Sequence, residues 1–236
     1  MSMDHCFTPE FADHPFWYKM VYFFCAMSLK RAFYYGPFKM SSAATAACGL
    51  NYNGIDKKTG EHKWDKIVSV FIMEVETATS TMEMLRGWNY QVHVWLKYYV
   101  QARMVKPGQR AGTKESMSTF IVSAFWHGFY PFYYVMFFFS AILAEVTKDV
   151  YKCWIFFQWI PSPLRYFLCH LGSMGCMNYF GVMFNALTIE KGMRFCNATY
   201  WIVPGGLTVF LLISRTMNFV GIAKKAEKIA IEKKSQ

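Results

Sequence analysis

The chain has 236 residues, of which 54% are hydrophobic, 19% aromatic and 17% charged. Soluble domains carry about 25% charged residues, so this composition argues against an ordinary soluble protein. The net charge of +10 is typical of nucleic-acid binding proteins, but here the basic residues stand between apolar segments. That distribution follows the positive-inside rule of membrane proteins. We therefore expect a lipid bilayer, and no nucleic acid, among the partners.

The spacing of the cysteines and histidines argues against a metal site and against a disulfide framework. None of the seven cysteines forms a C-x-x-C pair, and the six histidines are dispersed along the chain. Metal sites and disulfide frameworks need ligands or cysteines at regular short spacings. We therefore expect no metal and read the cysteines as small buried hydrophobic residues.

The first third of the chain contains two apolar segments and one polar connection. Residues 16–29 are interrupted only by Lys19 and residues 32–50 only by Lys39, so both are weak candidates for membrane helices. Residues 51–66 are polar, and their Asn-Gly and Thr-Gly pairs predict turns. Residues 68–84 are compatible with helix.

A segment rich in aromatic residues and a basic connection follow. The aromatics of residues 87–103 recur at spacings of three, four and seven, as expected for one face of a helix; they are Trp88, Trp95, Tyr98 and Tyr99. Residues 97–114 contain five positive residues and no negative one, and we expect this connection to face the cytosol. The five are Lys97, Arg103, Lys106, Arg110 and Lys114.

Three long segments of the remaining chain contain no Lys, Arg, Asp or Glu, namely residues 116–144, 166–189 and 195–214. A membrane helix needs roughly 20 apolar residues to cross about 30 Å of hydrocarbon. The segments do not alternate as barrel strands do. The sequence therefore predicts an all-α, polytopic transmembrane protein that forms a single membrane domain over residues 1–236. A soluble helical protein with fully buried helices is the alternative.

Residues 215–236 are predicted to form a basic cytosolic tail. Lys233 and Lys234 occupy the fourth and third positions from the C-terminus, as in the dilysine retrieval signal of endoplasmic-reticulum membrane proteins. The tail predicts a multi-pass protein of the endoplasmic-reticulum membrane, and a merely solvated charged tail is the alternative.

His127 is the ionisable residue inside the segment 116–144. Ionisable groups within membrane segments are energetically costly and mark functional sites, and a histidine suits general-base catalysis near neutral pH. A structural histidine that forms a hydrogen bond between helices is the alternative, and its position alone does not decide between the two.

Three ordered stretches share the pattern of one known family. Residues 49–54 read Gly-Leu-Asn-Tyr-Asn-Gly and are followed by Trp64-Asp65; residues 88–96 begin with Trp-Asn and end with Trp-Leu; residues 126–131 read Trp-His-Gly-x-x-Pro. Together they resemble the motifs of the membrane-bound O-acyltransferase family, in its lysophospholipid acyltransferase branch. The resemblance implies a truncated, C-terminal part of such a helical bundle.

The resemblance implies acyl transfer from acyl-CoA, as a co-substrate and without a bound cofactor, to the free hydroxyl of a lysophospholipid. It implies that His127 is the general base and that Asn89 orients it or stabilises the oxyanion. It further implies substrate contacts from four residues: Trp88, Trp126, Tyr130 and Arg103. The alternatives are a catalytically inactive truncated member and a non-enzymatic polytopic membrane protein.

Two positions depart from the family pattern. Phe132 stands where glycine is usual, and we expect its ring to narrow the reaction chamber. Val92 stands where threonine is usual, which removes a hydroxyl from the asparagine motif. Its neighbour His93 is expected to have no catalytic role.

Overall fold

The computed structural model describes residues 1–106, 108–109 and 111–234, the last three by their backbone only. Within these ranges the regular secondary structure is helical, apart from one isolated β-bridge between Ile55 and His62, and turns and irregular segments connect the helices. The α-helices, in chain order, are α1 (Pro9–Asp13), α2 (Phe16–Ala47), α3 (Ile72–Glu76), α4 (Thr81–Gly87), α5 (Tyr90–Leu96), α6 (Ala102–Met104), α7 (Thr113–His127), α8 (Pro131–Lys152), α9 (Ser162–Ala186), α10 (Ile189–Ala198), α11 (Ile202–Thr216) and α12 (Phe219–Lys234). The all-α prediction is confirmed.

The two N-terminal apolar segments form a single helix. Helix α2 has 32 residues and contains Pro37 in its interior, so it is about 48 Å long at about 1.5 Å per residue. Arg31, which separates the two segments in the sequence, is buried in this helix. Its guanidinium is paired with residues of α3 and α9, as described below.

The prediction of one continuous apolar helix over residues 116–144 is wrong. Helix α7 ends at His127, and Gly128 follows with φ of 122°. Residues other than glycine rarely adopt this backbone conformation. Helix α8 then begins at Pro131, in the first helical position where the missing N–H of proline has no cost. His127 therefore lies at a helix end beside a break, and not in the middle of a span.

The segment 195–214 is also broken. Tyr200 and Trp201 both have left-handed backbone conformations, and helices α10 and α11 on either side meet at 76°. Among the described residues, this bent pair passes a test of length and apolarity for crossing a bilayer, and no single helix does so alone. Multi-pass topology therefore stays a prediction.

The main core forms where the N-terminal turns and α2 pack against α8, α9 and α10. Its fully buried side chains include Phe11, Phe132, Tyr179 and Phe195. A second cluster, which contains Val75, Met84 and Met174, packs α3 and α4 against α9. This second cluster attaches the predicted asparagine motif to the rest of the protein.

Acidic residues of α8 connect this helix to α7 and to the start of the basic tail. Glu145 accepts hydrogen bonds from Thr113 at 3.0 Å and from Arg215 at 3.2 Å, and Arg215 also pairs with buried Asp149 at 3.1 Å. Pairing is what makes such buried charges tolerable. The tail continues as α12, which ends at Lys234; Ser235 and Gln236 lie outside the described residues, so the retrieval signal stays a prediction.

Candidate active site

Asn89 lies between α4 and α5 in a left-handed backbone conformation, with φ of 46° and ψ of 51°. Hydrogen bonds hold the backbone on both sides. The Phe71 amide donates to the Gly87 carbonyl at 3.0 Å, and the Tyr90 amide donates to the Ser69 carbonyl at 2.8 Å. Asparagine tolerates this conformation better than most residues. The backbone conformation alone is therefore one reason for an asparagine at position 89, separate from any role of its amide in the chemistry.

The side chain of Asn89 is half-buried and does not cap α5. Among the residues that the structure describes, no side chain or backbone group forms a hydrogen bond with its amide. The amide is therefore available to donate to a bound molecule, as an oxyanion-stabilising group must be.

Trp88 packs the asparagine motif against α2. Its ring lies 6.0 Å from Tyr34, 6.0 Å from Tyr35 and 5.4 Å from Phe38, measured between ring centroids. Aromatic pairs at such distances stabilise packing. The described contacts of Trp88 are thus with the protein scaffold.

His127 is half-buried among aromatic rings at the end of α7. Its ring stacks on Phe137 at 5.4 Å and meets Phe184 edge-on at 5.0 Å and Tyr133 at 6.0 Å. No described residue forms a hydrogen bond with its imidazole, so both ring nitrogens are available for a ligand. The sequence motif did not identify Phe137 or Phe184; the four-residue spacing of Tyr133 and Phe137 on α8 was the only available signal.

Exposed aromatic side chains form a rim around His127. Trp126 is 54% exposed and Tyr130 is 49% exposed, and Tyr130 packs on Tyr133 at 5.4 Å. The Trp126 ring lies 4.9 Å from the His127 ring between centroids, and a substrate-binding role for Trp126 and Tyr130 stays a prediction.

An apolar groove of about 190 Å³ lies between α7 and α8. Phe137 lines the groove and also stacks on His127, so one ring contacts both the groove and the imidazole. The other lining residues are Met117, Phe120, Ile121, Ala124, Tyr134, Phe138 and Ala141. A surface of this kind suits a hydrocarbon chain.

A basin of about 350 Å³ lies on the predicted basic connection and is lined by Lys97, Gln101, Lys106 and neighbouring residues. It forms beside a π-helical turn, Lys97–Gln101, which continues α5; such turns are frequent at functional sites. Arg103 does not line the basin and instead lies over the ring of Tyr99 at 5.1 Å. Arg110 lies outside the described residues.

No hydrogen bond joins the side chains of Asn89 and His127 in the described part of the chain. The expectation that Asn89 directly orients His127 therefore has no hydrogen bond to support it. A role of Asn89 toward the substrate is still compatible with this geometry.

Phe132 does not point toward His127. Its ring is fully buried and packs directly on Gly192 of α10, where a Cβ would overlap the ring, and its backbone amide donates to the Leu187 carbonyl at 3.1 Å. The expectation that Phe132 narrows the reaction chamber is thus wrong. The residue is part of the main core.

Replacing Phe132 by glycine should therefore destabilise the protein without changing its substrate range. Loss of a buried phenylalanine ring costs roughly 3–5 kcal/mol, so we expect a lower midpoint of thermal unfolding in detergent. Acyl-chain preference, measured per folded protein, should stay the same. A changed acyl-chain preference without a loss of thermal stability would show that Phe132 contacts the substrate.

The sequence model of the family described as "MBOAT, membrane-bound O-acyltransferase family" matches residues 2–169. This range contains both Asn89 and His127, together with the rim and the basin. The matched part covers most of the described chain.

Proteins of similar sequence include lysophospholipid acyltransferases of fungi and a plant. A "Lysophospholipid acyltransferase" of Saccharomyces cerevisiae is 39% identical over 58% of this chain and 22% of its own length. "Lysophospholipid acyltransferase 2" of Arabidopsis thaliana is 33% identical over 93% of this chain and 48% of its own length. A "Lysophospholipid acyltransferase" of Schizosaccharomyces pombe is 36% identical over 88% of this chain and 41% of its own length. The chain thus matches less than half of each of these proteins.

Proposed function

Because the chain belongs to the membrane-bound O-acyltransferase family, we propose that it transfers the acyl group of acyl-CoA to the free hydroxyl of a lysophospholipid. The choice of a lysophospholipid as acyl acceptor rests on the names of its relatives. The observation that carries the proposal is the setting of His127, an imidazole without a described hydrogen-bond partner that stacks on Phe137, a lining residue of the apolar groove.

His127 acts as the general base in this proposal. The imidazole removes the proton of the lysophospholipid hydroxyl while the hydroxyl oxygen attacks the thioester carbonyl. The C–S bond then breaks, and the protonated imidazole returns a proton to the departing CoA sulfur. A positioned base of this kind contributes roughly 10²–10⁴-fold in rate. The sequence of steps needs no covalent enzyme intermediate.

Asn89 stabilises the oxyanion that forms on the thioester carbonyl. This role fits an amide without a described protein partner better than the orientation of His127 does, since no hydrogen bond joins the two side chains in the described part of the chain. One well-placed donor contributes about 2.7–4 kcal/mol to such a transition state. Substrate would then lie between the two residues.

The groove and the basin bind different parts of the acyl-CoA donor. The groove between α7 and α8 receives the acyl chain, and the lysine-lined basin receives the phosphates of CoA. The basin begins at Lys97, eight residues after Asn89 along one helical stretch, which is about 12 Å at about 1.5 Å per residue. Trp126 and Tyr130 of the rim contact the acceptor. We place the reaction in the endoplasmic-reticulum membrane, in a multi-pass protein.

The test of this function is an acyltransferase assay of membranes that contain the chain, with labelled acyl-CoA and a panel of lysophospholipids that differ in headgroup. Membranes with the His127→Ala protein at equal abundance are the control. Transfer to at least one lysophospholipid, above that control, is expected. Correctly inserted protein that acylates no member of the panel would leave the inactive or non-enzymatic alternatives.

Neutralising the basin with Lys97→Gln and Lys106→Gln should raise the apparent KM for acyl-CoA and make it less dependent on ionic strength. Two exposed charges at about 0.7 kcal/mol each predict about a tenfold rise. The salt dependence follows because screening acts on the attraction that the variant lacks. Steady-state kinetics at two salt concentrations measure both effects.

A matched double variant in α12, Lys224→Gln with Lys225→Gln, removes the same charge away from the basin. It should leave the KM unchanged. If the basin lysines serve only to orient the protein in the membrane, their variant will lower abundance while the inserted enzyme keeps its KM and its salt response.

A further inference from the structure

A polar network that takes no part in the proposed chemistry joins α2, α3 and α9; its Arg31 and Asn178 are buried, and the side chain of Glu76 is 35% exposed. Arg31 of α2 is 4% exposed. Its Nε and Nη2 donate to the two carboxylate oxygens of Glu76 at 2.7 and 2.9 Å, and its Nη1 donates to Asn178 of α9. The Tyr35 hydroxyl also donates to Glu76. A two-point pairing of arginine with carboxylate fixes relative orientation as well as distance.

Asn178 completes the network from α9. It is fully buried, and its amide nitrogen donates to the Phe24 carbonyl at 3.2 Å and to Ser28 at 3.1 Å. Burial acts to raise the pKa of Glu76, but the hydrogen bonds from Arg31 and Tyr35 outweigh it and hold that pKa below its ordinary value. The carboxylate is therefore ionised at neutral pH, and the ion pair is complete.

The network anchors the segment that holds Asn89. Glu76 ends α3, and the neighbouring Val75 packs so closely on Gly87 that a Cβ there would lie 3.0 Å from it. Phe71, at the start of α3, donates to the Gly87 carbonyl, two residues before Asn89. Tyr35 adds a second attachment, because it binds Glu76 through its hydroxyl and packs on Trp88 through its ring.

The same network is connected to His127 through α9. Phe184, which meets the His127 ring edge-on, lies six residues after Asn178 on this helix. Six residues of α-helix rise about 9 Å, and the backbone hydrogen bonds of a helix make that spacing stiff. One helix therefore carries both the anchor of the asparagine motif and a wall of the His127 pocket.

We propose that Arg31, Glu76 and Asn178 are positioning residues, which set the distance between Asn89 and His127 by tying both to α9. The proposal rests on the proposed acyl transfer. Reaction requires the thioester to meet both side chains at once, and an error of about 1 Å in such an arrangement can cost roughly 100-fold in rate. None of these three residues lines the groove or the basin, so we assign the network no role in binding.

The substitution Glu76→Gln tests this by keeping the shape and removing the charge. We expect kcat per folded protein to fall at least tenfold, while KM for acyl-CoA and for lysophospholipid changes less than twofold. Arg31→Lys, which keeps the charge but loses the two-point pairing, should give an intermediate kcat. The matched control is Tyr179→Phe, which removes a buried hydrogen bond to Thr199 from the neighbouring position of α9 and should leave kcat unchanged.

Hydrogen exchange of residues 85–96 supplies a readout that is independent of activity. The Tyr90 amide should exchange faster in Glu76→Gln than in the parent or in Tyr179→Phe. If Glu76→Gln does not fold, Tyr35→Phe removes one hydrogen bond to Glu76 and keeps the ring on Trp88, and the same change of smaller size is expected. Unchanged exchange in the folded variant overturns the proposal. A parent chain without transferase activity refutes the proposed function, and the exchange result still decides whether the network positions Asn89.

Discussion

Substituting His127 by alanine is expected to lower kcat for acyl transfer by roughly 10²–10⁴-fold, the range typical for loss of a general base. The imidazole forms no hydrogen bond with a described residue and packs only against rings at the end of α7. Its removal should therefore change stability and insertion little. The measurement is turnover at saturating substrate, normalised to inserted protein.

A histidine outside the pocket provides the control for this variant. His93 lies on α5, away from the rings that surround His127, and His93→Ala should keep turnover within about twofold of the parent. His127→Gln, which retains a polar side chain without a usable base, should behave as the alanine variant does. Retention of activity in both His127 variants would make this residue a packing element of the pocket.

Asn89 allows its chemical and conformational roles to be separated. Asn89→Gly permits the left-handed backbone and removes the amide, whereas Asn89→Ala removes the amide and strains the backbone by about 1–2 kcal/mol. If the amide stabilises the oxyanion, both variants should lose about 10²–10³-fold in kcat. Only the alanine variant should also lose thermal stability.

The opposite pattern would exclude the proposed chemistry of Asn89. A glycine variant with parental kcat, beside an impaired alanine variant, would show that the position requires only its backbone conformation. Asn89→Asp adds a third comparison, because it tolerates the same backbone and replaces the donor with an acceptor. It should be at least as inactive as the glycine variant, since a carboxylate repels the oxyanion.

Local patterns in the chain were sufficient for the helical class and for several helix ends. Apolar segments long enough for helices, without the alternation of strands, account for α2 and α9. The break between α7 and α8 is also encoded locally, since Gly128 and Pro131 lie only three positions apart and both disfavour a continuous helix. The absence of charge over residues 116–144 does not reveal this break, because apolar character and backbone conformation are separate properties.

The direction of single side chains depended on the tertiary structure. Phe132 directly follows the motif that contains His127, yet its ring packs on Gly192 of α10. The ring fits there because Gly192 has no Cβ. Phe132 is near His127 in the sequence, but its side chain lies on the face of α8 that packs into the main core. For the same reason the rings that pack on His127 come from two other helices, α8 and α9, and Phe184 had no signal in the motif.

The motifs themselves could be located by their order along the chain, since each is a short contiguous pattern. The Arg31–Glu76–Asn178 network could not, because its members are separated by 45 and 147 residues. A periodic pattern reports which face of an element is apolar, but it carries no information on which distant polar group meets another. That pairing is decided only when α2, α3 and α9 pack together, and burial then makes each unpaired charge too costly to leave.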